Sequence, residues 1–119
     1  VPLVFDFSGS VETAAGIVLV QRTPKDLSAL GETEVIAAQA GKKIRILALY
    51  IRSAAAVVVF FKTGPGGIKI SSDFSMGVND DTVLPNNIHG WMETNAGQAF
   101  VANQSLAVAS GLQAVWIAL

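Results

Sequence analysis

The chain has 119 residues, 51% of them apolar and only 14% charged, with a formal net charge of −1 and no cysteine. That length fits one domain with its own core, and the missing cysteines exclude disulfides, thiolate metal sites and cysteine nucleophiles. The near-neutral charge lacks the basic stripe that phosphate-backbone binding needs, so no nucleic-acid partner is expected.

Strand signals dominate and helical periodicity is poor. Leu3 to Phe7 alternates and is broken at Ser8-Gly9-Ser10, and Gly16 to Val20 is a second short strand. Arg22 to Gly31 is polar, holds Pro24 and reads as a linker. Residues 1–33 are therefore assigned to an N-terminal arm or edge hairpin, and residues 34–119 to the main domain.

From Glu34 to Ala40 a strand is expected, then a turn at Ala40-Gly41-Lys42. In Lys43 to Arg52, Ile44, Ile46, Ala48 and Tyr50 share one face. The other face starts charged at Lys43 and Arg45 and turns apolar at Leu47, Leu49 and Ile51, the pattern of a strand covered on both sides at one end. Ala55 to Lys62 follows, and Gly64-Pro65-Gly66-Gly67 forces a reversal. Ile68 to Ser71 is a short edge strand. Residues 73–87 form a connection with a short strand near Thr82 to Leu84. Ile88 to Thr94 resumes strand character, and Asn95-Ala96-Gly97 is a hairpin-type turn. Ala99 to Ala109 is one long or bulged strand, Ser110-Gly111 a turn, and Leu112 to Leu119 the last strand. About eight strands with short turns predict an all-β, two-sheet sandwich or jelly roll.

Chemistry is sparse. His89 is the single histidine; on a strand it would share a face with Trp91 and Glu93, an arrangement open in principle to acid–base use but expected to be a partly solvated sheet face or interface. No Gly-x-Ser-x-Gly elbow occurs, and the glycine cluster lacks the lysine of a phosphate loop. Asn79-Asp80-Asp81, with Asn86-Asn87 after it, offers oxygen ligands that calcium tolerates but without EF-hand spacing, so a solvated turn is expected and a structural calcium is the alternative. No enzymatic activity, metal or cofactor is expected. Thr94 to Leu119 carries no charge but is broken by Asn, Gln and Ser, so no membrane span is expected. The N-terminal stretch has no signal-peptide pattern, and synthesis in a cytoplasm is the expectation.

The apolar excess points to partner chains. Leu47, Leu49, Ile51, Val57, Val59, Phe61 and Trp116 are the expected oligomer interface, and Trp91, with His89 and Glu93, is the alternative ligand-binding group.

Two stretches carry a family likeness: Ala40 to Leu47 with the strand ending at Lys62-Thr63-Gly64, and Gly90 to Ala99 with the strands that follow, through Ser110-Gly111. Over residues 34–119 the chain resembles small β-sandwich structural proteins of tailed bacteriophages, most of all capsid decoration (cement) proteins. Met92 stands where a Phe is more usual. The resemblance implies a virion protein on the outer capsid surface, a homo-oligomer (a trimer) bridging capsomers of the major capsid protein. A tail or fibre module binding host-surface carbohydrate is the alternative.

Overall fold

The computed structural model describes residues 5–6, 10–13 and 16–119, with side chains from Val18 onward. These residues form twelve strands and no helix. The protein is all-β, with two sheets packed face to face. A five-stranded sheet has the order β10 (Met92–Glu93), β6 (Ile44–Ser53), β12 (Ser110–Ala118), β4 (Gln21–Leu27), with β9 (Asp81–Leu84) also paired to β6. A four-stranded sheet has the order β5 (Gly31–Ile36), β11 (Phe100–Gln104), β7 (Val57–Thr63), β8 (Phe74–Met76). A third, small sheet joins β1 (Phe5–Asp6), β2 (Ser10–Thr13) and β3 (Gly16–Leu19). The expected Leu3 to Phe7 strand lies outside the described residues except for β1.

Alternation builds the core. In β7, Val57, Val59, Phe61 and Thr63 turn inward while Val58, Phe60 and Lys62 are partly exposed. Phe61 stacks on Phe100 with ring centroids 4.8 Å apart and an interplanar angle of 10°, against inward residues of β6 and β12.

β6 departs from simple alternation. Its pairing with β12 shifts between Trp116, opposite Ile46, and Val115, opposite Ala48, so Leu47 is the extra residue of a bulge. A bulge moves every following side chain to the other face. Ile44 and Ile46 thus join Leu49 and Ile51 in the main core, while Tyr50 and Arg52 face outward. The expected covering of both faces is corrected: one inserted residue accounts for the apolar run.

Arg22 to Gly31, read as a linker, is mostly strand. β4 lies along β12 with Pro24 opposite Gln113, and Gly31 opens β5. The residue types misled because proline is tolerated on an edge strand, which β4 is. The main sheets therefore begin at Gln21 rather than Glu34. Val20 alone separates β3 from β4.

Other corrections concern the crossings between sheets. The expected strand Ala99 to Ala109 ends at Gln104, and Ser110-Gly111, expected as a turn, starts β12. The buried Gln104 amide closes this crossing. Its Nε2 donates to Val108 O (3.0 Å) and Ala29 O (3.2 Å), and its Oε1 accepts the Ser110 hydroxyl (2.8 Å). Asn95-Ala96-Gly97 is a turn, but it links β10 in one sheet to β11 in the other. Ile68 to Ser71 forms one bridge, Lys69 to Lys62, beside β7. The connection at 73–87 holds β8 as well as the expected short strand.

The glycine-rich reversal after β7 is pinned from β5. A Cβ on Gly67 would lie 1.7 Å from Thr63 O, so only glycine fits. The Glu32 carboxylate accepts from Lys62 Nζ (2.8 Å) and from the Gly66 N–H (3.0 and 2.9 Å). The Lys62 bond first, then the Gly66 N–H, hold its pKa below the ordinary 4.5. A depressed folded-state pKa stabilises fully above the unfolded value and ceases to do so as pH falls through the folded one. Glu32→Gln should therefore narrow the difference in urea midpoint between pH 7 and more acidic solution below 4.5; an unchanged difference would show the pin to be idle.

Candidate binding surface on the five-stranded sheet

The seven residues expected at an oligomer interface are all buried within the single chain, and that expectation is corrected. Leu49, Ile51, Val57, Val59, Phe61 and Trp116 belong to the main core. Leu47, the bulge residue, lies outside it in a second cluster with Val20 and Ile117, flanked by Val18, Val115 and Leu119. The seat on the outer face of the five-stranded sheet is thus covered by the chain's own residues around β3. Nine strands in two sheets bury more of the apolar content than the composition implied.

The second expected group is dispersed. Strand structure covers only Met92–Glu93, so His89 sits in the turn closed by the Gly90 N–H to Asn87 O bond, not on a strand face with Trp91 and Glu93. His89 is exposed. The Glu93 carboxylate is engaged by Arg45 Nε at 3.4 Å and lies 4.0 Å from Lys43 Nζ. Gly90 makes room here, since a Cβ would meet the Arg45 side chain at 2.5 Å. Trp91 is 43% exposed, and its ring is fixed by Nε1 donating to Pro85 O at 2.6 Å.

Both carboxylates of the Asn79-Asp80-Asp81 segment have partners within the chain. Asp80 Oδ2 accepts the Gly77 N–H at 2.8 Å, and Asp81 Oδ2 accepts the Tyr50 hydroxyl at 3.4 Å. Among the described residues no three His, Cys, Asp or Glu side chains gather to hold a metal.

A surface that sequence reading missed lies on the outer face of the five-stranded sheet. Strand register sets Asp81, Arg52, Gly111 and Asp26 side by side across β9, β6, β12 and β4. The next row is Val83, Tyr50, Gln113 and Pro24. Tyr50 is 38% exposed. Gly111 leaves a gap in the first row: a Cβ there would meet nothing within 4 Å. The result is a depression of about 310 Å³ bordered by Asp26, Tyr50, Arg52 and Gln113. Among the described residues no carboxylate lies within ion-pair distance of Arg52. The bulge is why this surface was hidden, because unbroken alternation puts Tyr50 on the face of Ile44 and Ile46.

No known family model matches the chain, and no curated protein matches it significantly.

Proposed function

We propose that the protein is a non-enzymatic structural component of a bacteriophage virion, a decoration protein that sits on the outer capsid surface and bridges capsomers. The reading draws on the resemblance of residues 34–119. Its strongest structural support is the build: a tightly packed two-sheet body with a separate N-terminal sheet, joined at Val20 and seated through Val18 and Val20 on Leu47 and Ile117. A rigid body supplies a defined contact surface, and an appended sheet extends its reach to a neighbouring subunit. Partners are sister copies, as a trimer, and the major capsid protein.

With the expected interface residues inside the core, contacts fall to what remains exposed. Leu30 and Leu106, 66% and 54% exposed, lie beside the loops that Gln104 ties together and offer apolar anchors for a sister subunit. Each such contact is modest, but repetition over a shell raises occupancy through effective concentration.

The isolated protein should measure as a trimer by mass photometry and should coat emptied, expanded heads of its own phage. A monomer at micromolar concentration that leaves such heads bare defeats the proposal. A second reading, glycan binding by a tail or fibre module, is favoured by one observation: the Trp91 ring is both exposed and fixed in orientation.

A further inference from the structure

We infer that the depression above Gly111 is a binding site for a neutral hexose unit of a glycan. This deepens the second reading and moves its centre from Trp91 to Tyr50. Four features converge on it.

The first is shape. The depression, about 310 Å³, is at the small end of ligand sites and suits one sugar ring. Adjacent strands are about 4.8 Å apart. Arg52 on β6 and Asp26 on β4 therefore stand about two spacings apart with side-chain-free Gly111 between them, like posts beside an open floor.

The second is the mixture of surfaces. Tyr50 presents an exposed ring, and Asp81 accepts its hydroxyl proton at 3.4 Å, which limits how the ring tilts. An aromatic face of this kind takes the apolar C–H face of a pyranose. Around it stand planar polar groups: Arg52 with donors only, Asp26 with acceptors only, and Gln113 with both. Vicinal sugar hydroxyls each donate and accept, and they match that set.

Third, these groups are available. Among the described residues, Asp26, Arg52 and Gln113 make no side-chain hydrogen bond or ion pair. Fourth, charge selects the ligand class. Arg52 and Lys25 bring two cations to the floor and Asp26 and Asp81 two carboxylates, so an anion gains from the first pair what it loses at the second. A neutral ring that bridges the two escapes that conflict.

The test uses the intact chain, labelled with ¹⁵N and titrated separately with the methyl glycosides of glucose, galactose, mannose and N-acetylglucosamine to millimolar concentration. At least one should shift the Arg52, Gly111 and Gln113 amides saturably. Gly111→Val should weaken that binding tenfold or more, since its side chain fills the floor. Gly111 lies outside the left-handed region with open space above it, so the fold, read from the unperturbed core amides, should survive. Ile68→Ala, at an exposed position after the β7 reversal, should leave the affinity unchanged. Saturable shifts centred on Trp91, or binding indifferent to Gly111→Val, would overturn this site while sparing the glycan reading. Silence from all four sugars would remove both, and capsid decoration would stand or fall on the head-binding experiment alone.

Discussion

Phe61→Ala should lower the unfolding free energy by about 3–5 kcal/mol, the range for removing a fully buried phenylalanine. Phe61 has no solvent exposure, stacks on Phe100 and touches the tilted ring of Phe74 at a centroid distance of 6.0 Å. The loss combines transfer free energy with the cavity left between two sheets that relax only partly. Small domains have about 5–15 kcal/mol in total, so the variant should sit near the threshold of folding. Phe60→Ala is the internal control. Its ring lies on the outer face, with Lys69 Nζ 4.7 Å and Lys62 Nζ 5.7 Å from the centroid. Losing a cation–π contact on an exposed face costs about 0.5–1 kcal/mol. Urea denaturation of the two variants decides it: equal losses at Phe60 and Phe61 would contradict the inward assignment of β7.

Gln104→Leu should cost about 1–3 kcal/mol, although the replacement is apolar and similar in size. The substitution strands the buried Ser110 hydroxyl and takes a partner from the carbonyls of exposed Ala29 and half-buried Val108. Each buried polar group left without a partner costs about 1–3 kcal/mol. Hydrogen exchange should also quicken locally in the loops around Ala29 and Val108, ahead of the sheets. A stability unchanged from wild type would mean that those loops reach water without the amide, and that the crossing from β11 to β12 closes by backbone alone.

The all-β class and the two-sheet sandwich were legible because β-branched alternation and glycine turns are local signals. Gly41 and Gly97 adopt positive φ at the turns expected of them. What escaped was set by tertiary context. Nothing local marks Leu47 as a bulge residue, since the extra residue is defined by its pairing with β12. Pro24 reads as a strand breaker until β4 is known to be an edge. The apolar runs of β6 and β7 were assigned to partners because a domain of this size was expected to bury less than it does. Tyr50, Arg52, Gly111 and Asp26 are scattered in sequence, and only strand register brings them together.

The single-residue joint at Val20 has a mechanical consequence. Once the Val18 and Val20 seat on Leu47 and Ile117 gives way, a pull on the N-terminal sheet passes into Gln21, the first residue of an edge strand whose opposite end is Leu27. Load applied at one end of a border strand opens its ladder bond by bond instead of straining all of them at once. Under tension the seat of Val18 and Val20 on Leu47 and Ile117 would part first, and β4 would then peel and uncover the flank of β12.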